Sequence, residues 1–510
     1  MQVAICNTEY FLPSSLMLGV TTYLTTDLAA IPLLWAIPLA LYLLSFILTF
    51  APRARLPHQT LVTLLPLLLA SGIILSLLGA MEPVWLWLPW HLGVFFAAAC
   101  VFHGELARRR PDPEQLTGFY LWIAVGGVLG GWFNAIAAPL LFNSILEYPL
   151  IMLLGILILD SGSQDSSLKN TRLIAIGLLF GALPVGFNPN GFEDNLPALV
   201  LASAILVAFY LAFALGWLRL GVGLALIFML SQFSGGGLGG LLESDRSFFG
   251  VNRVIQDRRG EYRVLVHGTT LHGKQSLAPE RRHIPLTYFY PNSPIGQFFD
   301  NFNSSQRLER VAVLGLGIGT LAAYSQPGQD WTFYEIDPTV ARLASDPHYF
   351  TFLEDAKASV SIVLGDGRLQ LASVPDNSYD AIVMDAFSSD SIPVHLVTRE
   401  ALQLYFQKLR SRGLLAINIS NRYINLEPVL GALARDLGLS ALRQIQLEIS
   451  EAEKKMGKSP SHWVLLARES QDFGDLARDL RWQPIQIQKN TPIWTDDFSD
   501  IFSVLGAKQF

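Results

Sequence analysis

The second half of the chain is built around one glycine-rich segment, Arg310-Val-Ala-Val-Leu-Gly-Leu-Gly-Ile-Gly-Thr320. Its apolar run, Val311 to Leu314, is typical of a buried parallel strand. The run ends in three alternating glycines that let backbone N–H groups approach a ligand at a helix start, namely Gly315, Gly317 and Gly319. A second apolar run ends at Glu335, about twenty residues later, where an acid binds ribose hydroxyls. The pattern predicts an adenosine-type ligand; a tight β-α turn with a capping acid is the alternative.

Charged residues are distributed unevenly along the 510 residues. The segment 1–242 holds 8 of the 36 Lys and Arg and 11 of the 42 Asp and Glu. Apolar segments of membrane-spanning length recur in it, at 28–49, 61–80, 84–106, 117–142, 196–217 and 220–242, with shorter candidates at 146–159 and 172–187. The composition predicts an α-helical multi-pass transmembrane domain over 1–242, in contact with the lipid bilayer, followed by a soluble half.

The basic residues of the first half fall in alternate loops, which identifies one side of the membrane as the cytoplasm. Eight full spans would place the soluble half on the opposite side. If 220–242, with its Ser234-Gly-Gly-Gly237, is re-entrant or interfacial, the soluble half returns to the cytoplasm, where adenosine cofactors are made. We therefore expect a plasma (inner) membrane protein with a cytoplasmic C-terminal domain.

The second half alternates between strand and helix patterns, which predicts an α/β doubly wound, Rossmann-like domain over 296–510. A small β-hairpin subdomain, 243–295, precedes it, with strands at Val251–Gln256 and Tyr262–His267 and a turn-rich exit at 268–275. Two further predicted strands end in carboxylates, at Asp366-Gly367 and at Asp385. Ligands of such sheets bind beyond the carboxyl ends of the strands, so these acids should line one crevice with Gly315 and Glu335.

Several other chemistries find no support in the residue pattern. The 9 histidines lack metal-ligand spacing, and we expect His267, His272 and His283 to be polar turn residues. A net charge of -6 without a basic tract argues against nucleic acid as a partner. No serine lies in a nucleophile-elbow context. The sequence therefore predicts a nucleoside site without a metal.

These residues resemble the spermidine synthase family of polyamine aminopropyltransferases, and specifically its bacterial membrane-fused members. The resemblance covers roughly 245–505, and the segments Leu12–Thr26 and Gly130–Asn134 resemble the membrane part of those relatives. It implies a class I S-adenosylmethionine-dependent methyltransferase-like fold and decarboxylated S-adenosylmethionine as co-substrate. The second substrate would be a small-molecule amine, a polyamine such as putrescine, and the resemblance leaves a homodimer open.

Site residues follow from the same resemblance, position by position. Gln275 and Tyr288 resemble a cofactor-contacting glutamine and a substrate-pocket tyrosine. Glu335 is similar to the ribose-binding acid, and Asp366, with Gly367, to the adenine-contacting acid. The resemblance further implies two catalytic acids, Asp385 and, displaced by two inserted residues, Asp390.

One departure leaves two alternatives open. The family carries an aspartate in the glycine turn, holding amines of cofactor and acceptor, where this chain has Ile318. Losing that anion removes a repulsion against the carboxylate of intact S-adenosylmethionine, so methyl transfer is the first alternative.

The second alternative is a non-catalytic nucleoside-binding domain on a membrane scaffold or transporter. A nicotinamide dehydrogenase is a weaker rival, because its turn requires glycine at the position of Thr320.

Overall fold

The computed structural model describes residues 2–28, 34–51, 56–77, 84–159, 239–268, 270–387, 393–421, 424–487 and 491–504. The chain divides into two compact units, Met1–Leu241 and Leu242–Phe510, each considered by itself below. The predicted apolar segments at 172–187 and 196–217 lie outside the described residues, and so does Asp390. The predicted segment 220–242 is described only at its end, where residues 239–242 form the start of a β-strand rather than a membrane segment.

The described part of the first unit is helical. Its helices are α1 (Gln2–Tyr23), α2 (Ala36–Phe50), α3 (His58–Leu77), α4 (Val84–Arg108), α5 (Leu116–Trp132), α6 (Ala138–Leu141) and α7 (Glu147–Leu159). By length and composition, 3 described helical stretches suffice to cross a membrane, namely His58–Ser76, Val84–Arg108 and Pro113–Leu141. Two shorter apolar helices, Ala36–Phe50 and Glu147–Ile158, accompany them, so the predicted segment 28–49 contains only a short helix in the described part.

Close packing between α1 and α5 depends on small residues. A Cβ atom on Gly126 would collide with Tyr10, and one on Gly130 would lie 2.9 Å from the backbone nitrogen of Ser15. Asn134 then donates a hydrogen bond of 2.6 Å to the Ser15 hydroxyl. The glycines of this segment therefore permit the close helix contact that its composition predicts.

The second unit begins with a four-stranded sheet in the order β1-β2-β3-β4. Its strands are β1 (Gly239–Ser247), β2 (Gly250–Asp257), β3 (Tyr262–His267) and β4 (Thr270–Ser276). Strands β2 and β3 form the predicted hairpin, with Ile255 paired to Val264. The predicted turn-rich exit at 268–275 is wrong, because most of it is β4, paired antiparallel with β3.

An eight-stranded sheet forms the larger part of the second unit, in the order β12-β10-β11-β9-β8-β5-β6-β7. The strands are β5 (Arg310–Leu314), β6 (Asp330–Glu335), β7 (Ser359–Leu364), β8 (Tyr379–Met384), β9 (Leu409–Asn418), β10 (Ser440–Gln446), β11 (Ser461–Ala467) and β12 (Gln483–Pro484). Strands β7-β6-β5-β8-β9 pair in parallel, as predicted. The remaining three join antiparallel.

Helices cover both faces of this sheet. They are α8 (Pro294–Ser304), α9 (Pro338–Ser345), α10 (Gly367–Ala372), α11 (Arg399–Lys408), α12 (Glu427–Asp436) and α13 (Glu451–Lys455). The run of strand β5 is continuously apolar because both faces of the strand are buried. Val311 and Val313 belong to one buried cluster, whereas Ala312 and Leu314 belong to another on the opposite face. The α-helix predicted after the glycine turn is instead a short 3-10 helix, Thr320–Tyr324.

Candidate active site

The carboxyl ends of four neighbouring parallel strands open into one cavity of about 290 Å³. Its lining contains most of the residues that the sequence singles out, namely Gly315, Gly317, Glu335, Asp366, Gly367 and Asp385. Because β7, β6, β5 and β8 are adjacent and parallel, residues far apart in the chain arrive at the same edge of the sheet. The structure thus brings the glycine turn and three acids to a single enclosed space.

The glycine turn has a backbone that only glycine adopts easily. Gly315, Gly317 and Gly319 have φ angles of 94°, 56° and 77°. A Cβ atom on Gly315 would collide with the carbonyl oxygen of Asp385, and one on Gly317 would lie 3.0 Å from the carbonyl oxygen of His272. The turn therefore serves two purposes, since it takes left-handed conformations and allows two neighbouring segments to approach closely.

Glu335 is fixed by backbone donors from both sides. Its Oε2 accepts a hydrogen bond of 3.0 Å from the Leu316 nitrogen, and its Oε1 accepts one of 2.8 Å from the Asp337 nitrogen. Burial raises the pKa of Glu335 above its ordinary value, and these donors oppose the rise. The carboxylate is held against the glycine turn with lone pairs left over, which suits a group that accepts hydrogen bonds from ligand hydroxyls.

Asp366 has two roles in the structure. Its Oδ1 accepts a hydrogen bond of 2.9 Å from the Leu369 nitrogen and caps α10, the structural role that aspartate often has at this position. Its Oδ2 lies 2.8 Å from Nε2 of His395, which also lines the cavity. The sequence analysis missed His395, because this residue lies in no motif.

Asp385 directly follows β8 and is the best-placed base of the cavity. Its Oδ1 accepts a hydrogen bond of 2.6 Å from Nδ2 of Asn418, at the end of β9. Burial raises the pKa of Asp385 to about 7, although the Asn418 hydrogen bond acts in the opposite direction. A carboxylate with a pKa close to neutral is suited to take up and release a proton during a reaction. Asn418 is a second site residue that the sequence analysis missed.

Tyr288 lies within electrostatic reach of Asp385, although it is not among the described residues that line the cavity. Burial, followed by the negative charge of Asp385, raises the pKa of Tyr288 well above its ordinary value. The phenol is therefore neutral and carries its proton. A neutral phenol can act as a hydrogen-bond donor but adds no charge near Asp385.

Two other predicted positions lie elsewhere in the described structure. The buried amide of Gln275 donates hydrogen bonds of 2.9 Å to the Arg282 carbonyl and to the Thr351 hydroxyl, and its oxygen accepts one from the Thr351 nitrogen. It thereby joins β4 to neighbouring loops and is not among the cavity-lining residues. Ile318 is fully buried among Val254, Leu265 and other apolar residues. The Ile318 side chain therefore packs under the small sheet rather than into the cavity.

Two histidines of the small sheet form the opposite wall of the cavity. His267 ends β3 and His272 lies within β4, so the prediction that both are turn residues is wrong. Nε2 of His267 lies 3.0 Å from the carbonyl oxygen of Phe249 and donates to it. Burial lowers the pKa of both histidines, that of His272 to about 3. This wall is therefore polar but uncharged.

Asp337 joins the small sheet to this edge of the large one. Its Oδ1 accepts a hydrogen bond of 2.9 Å from the Thr339 nitrogen, so Asp337 caps the start of α9. Its Oδ2 accepts hydrogen bonds from Ser247 and Asn252, at 2.7 and 3.0 Å. The wall that carries the two histidines is therefore anchored next to Glu335.

An acidic-aromatic run near the C-terminus, residues 493–498, lies at the sheet edge beside Asp366. Arg368 makes two hydrogen bonds of 2.7 Å to the two carboxylate oxygens of Asp496, and its guanidinium also donates to the carbonyl oxygen of His395. Trp494 is buried and its carbonyl accepts from the Arg399 nitrogen. This run therefore caps the fold and supports the segment that carries His395.

Known proteins are similar in sequence to parts of this chain. A polyamine aminopropyltransferase of Vibrio vulnificus is 35% identical over 115 residues, 22% of this chain and 37% of that protein. A probable polyamine aminopropyl transferase of Bifidobacterium longum is 27% identical over 173 residues, 33% and 36% of the two chains. Part of this chain is therefore similar in sequence to polyamine aminopropyltransferases. It matches little more than a third of the length of either relative. No family model matches the chain.

Two further similarities extend the comparison. An N-terminal histidine N-methyltransferase of Emericella nidulans is 37% identical over 112 residues, 21% of this chain and 19% of that protein. A probable spermidine synthase of Corynebacterium glutamicum, known as a crystal structure, aligns with a TM-score of 0.37 at 14% identity, covering 51% of this chain and 97% of its own.

Proposed function

We propose that this protein is a membrane-anchored aminopropyltransferase that transfers an aminopropyl group from decarboxylated S-adenosylmethionine to a polyamine such as putrescine. The observation that carries the proposal is the placement of Asp385, with a pKa of about 7, in the same cavity as Glu335 and Asp366. The likeness to named aminopropyltransferases supports the same reaction class.

Each acid has a separate task in the proposed reaction. Glu335 accepts hydrogen bonds from the ribose hydroxyls and Asp366 from the adenine amine. The acceptor nitrogen attacks the carbon next to the sulfonium, the carbon–sulfur bond breaks, and methylthioadenosine leaves with the electron pair. Asp385 accepts the proton that the nitrogen loses, and Tyr288 orients that carboxylate. Alignment of the nitrogen with the carbon–sulfur bond supplies most of the acceleration.

The test is an assay of purified full-length protein with putrescine and decarboxylated S-adenosylmethionine. We expect methylthioadenosine and spermidine to form in equal amounts. The Asp385→Asn variant should still bind methylthioadenosine but form product at least 100-fold more slowly, the loss typical of a missing general base. If wild-type protein binds the nucleoside and forms no methylthioadenosine, the aminopropyl proposal is wrong.

Methyl transfer from intact S-adenosylmethionine is the second candidate, favoured by the similarity to a histidine N-methyltransferase. Ile318 does not favour either candidate, because its side chain is buried away from the lining of the cavity. Calorimetric titration with the two cofactors separates the candidates. Tighter binding of the decarboxylated form supports aminopropyl transfer, whereas tighter binding of S-adenosylmethionine supports methyl transfer.

A non-catalytic role is tested by the same variant. If Asp385→Asn leaves product formation and cellular polyamine content unchanged while the nucleoside still binds, the domain acts as a nucleoside-binding module. Because Asp385 holds a pKa near 7 without a permanent ion-pair partner among the described residues, we expect the opposite result.

We further propose that the first unit is inserted in the inner membrane and that the catalytic unit is cytoplasmic. The 3 described helical stretches of spanning length support insertion, and the arginines at 108–110, after one of them, support a cytoplasmic end there. Extraction at alkaline pH should leave the protein in the membrane fraction. A reporter that is active only in the cytoplasm should be active when it is fused to the C-terminus. Activity of a reporter that works only in the periplasm would contradict the proposed orientation.

A further inference from the structure

His272, one of the residues that line the cavity, carries a buried polar atom without a hydrogen-bond partner among the described residues. This atom is Nε2 of the imidazole. Buried polar atoms are nearly always hydrogen-bonded, and the exceptions often await a ligand or a water. Nε2 of His272 therefore has the properties of an atom whose partner is a bound molecule.

The backbone around His272 places it beside the glycine turn. A Cβ atom on Gly317 would lie 3.0 Å from the carbonyl oxygen of His272. The next residue, Gly273, lies so close to Ile318 that a Cβ atom there would be 2.5 Å from Cγ1 of the isoleucine. Strand β4 thus packs against the glycine turn. Ile318 contacts β4 at Gly273, and the neighbouring His272 lines the cavity.

The groups that face His272 keep its imidazole neutral. The ring of His267 lies 5.4 Å away between centroids, and burial together with His267 disfavours protonation of His272. The nearest acid of the wall, Asp337, acts on His267 and is already occupied by Ser247, Asn252 and the α9 backbone. In the tautomer with its proton on Nδ1, a neutral His272 offers a free lone pair at Nε2.

The proposed reaction assigns a ligand group to Glu335, Asp366 and Asp385 but none to His272. Glu335 takes the ribose, Asp366 the adenine and Asp385 the acceptor nitrogen. The aminopropyl tail of the co-substrate ends in an ammonium group, a strong hydrogen-bond donor that needs an acceptor. The Ile318 side chain cannot provide one, because it is apolar and buried. The lone pair on Nε2 of His272, a residue beside the glycine turn, can accept this hydrogen bond.

We propose, on the basis of the proposed function, that His272 is a specificity-determining residue whose Nε2 accepts a hydrogen bond from the terminal ammonium of the aminopropyl tail. This contact exists with the co-substrate and not with methylthioadenosine, which lacks the amine. His272 therefore favours binding of the co-substrate over retention of the product. The small sheet, which carries His272, thereby contacts the aminopropyl tail, whereas the large sheet contacts the nucleoside.

The experiment compares two ligands by calorimetry on the full-length protein and on three variants. His272→Leu removes the acceptor, and His272→Gln places a polar amide near the position of Nε2. The control, His348→Gln, changes an exposed histidine whose imidazole contacts Asp346. We expect His272→Leu to weaken binding of decarboxylated S-adenosylmethionine about tenfold, equivalent to the loss of one hydrogen bond to a charged group. Methylthioadenosine should bind within twofold of wild type, which also shows that the variant is folded.

His272→Gln should recover most of the lost affinity, and His348→Gln should bind both ligands like wild type. An equal loss for both ligands would overturn the inference, since His272 would then contact the nucleoside or act structurally. Unchanged binding of both ligands would overturn it as well. This test is separable from the test of the proposed function. If the wild-type protein forms product and His272→Leu binds both ligands like wild type, only the role of His272 is refuted. If the wild-type protein binds methylthioadenosine but not decarboxylated S-adenosylmethionine, both the role of His272 and the proposed function are refuted.

Discussion

Asn418 Nδ2 donates a hydrogen bond of 2.6 Å to Oδ1 of Asp385, across the ends of the paired parallel strands β9 and β8. The bond favours the ionised carboxylate, whereas burial favours the protonated acid, and burial prevails because the pKa is raised to about 7. Oδ1 of Asn418 is itself fixed by the nitrogen and hydroxyl of Ser420, at 3.0 and 2.6 Å. The strength of the base is therefore set by a neutral amide with a fixed orientation.

The first prediction concerns this amide. Asn418→Leu removes a donor to a charged oxygen, so the pKa of Asp385 should rise by about one unit. The acidic limb of kcat/KM against pH, near pH 7 in wild type, should move to higher pH by that amount. Ser420→Ala is the matched control, because it leaves the Asn418 donor in place and should shift the limb much less. An unmoved limb in Asn418→Leu would show that another group controls the rate.

The second prediction is a dependence of stability on pH. The pKa of Asp385 is raised on folding from about 3.8 to about 7, so the folded state binds more protons between these values and stability falls as pH rises through this window. Asp385→Asn removes the destabilisation caused by the buried, ionised carboxylate. The variant should therefore exceed wild type in unfolding free energy by a larger amount at pH 8 than at pH 5. Urea unfolding at both pH values measures the difference. The same gain at both values would contradict the raised pKa.

The third prediction separates backbone strain from the close approach at the glycine turn. Gly315 and Gly328 have similar φ angles, 94° and 86°, but only at Gly315 would a Cβ atom meet another segment, the carbonyl of Asp385. Both alanine variants should lose about 1 kcal/mol or more of stability from strain. Only Gly315→Ala should also lose nucleoside affinity and activity, by at least tenfold. Equal activity in the two variants would show that the approach of Asp385 is unimportant.

The fourth prediction concerns the C-terminal run. Arg368 is largely buried and holds both oxygens of Asp496, while it also supports the carbonyl of His395. Arg368→Leu should lower stability by about 1 kcal/mol, a value typical of a well-aligned pair with one exposed partner, and should speed hydrogen exchange in 493–498. Nucleoside affinity should fall as well, since His395 contacts Asp366. Arg481→Leu breaks a local, exposed pair with Asp479 and should change none of these.

The sequence predicts the parallel sheet and the convergence at its edge well, because apolar runs and terminal carboxylates are local signals. Val311 to Leu314 and Glu335 lie where the strand pattern places them. The α-helix after the turn was predicted wrongly, since Pro327 and Gly328 leave room only for the 3-10 helix Thr320–Tyr324 before β6 begins. Turn signals in short connections are weaker than strand signals.

Other features depend on contacts between distant segments and have no local signature. Gly273 suggests a turn by composition, yet it lies in a strand because Ile318 packs against it. His272, His395 and Asn418 come to the cavity only through the tertiary fold, so no spacing rule identifies them. The Gln275 amide faces Thr351 rather than the cavity for the same reason.

The central claim is that one glycine turn and three acids form a single nucleoside site, and a structure with bound methylthioadenosine tests it most directly. We predict Glu335 carboxylate oxygens within about 3.2 Å of the ribose hydroxyls, Asp366 within the same distance of the adenine amine, and the methylthio sulfur facing Asp385. A nucleoside found outside the cavity, or one inside it that leaves Glu335 without a ribose contact, would contradict the account.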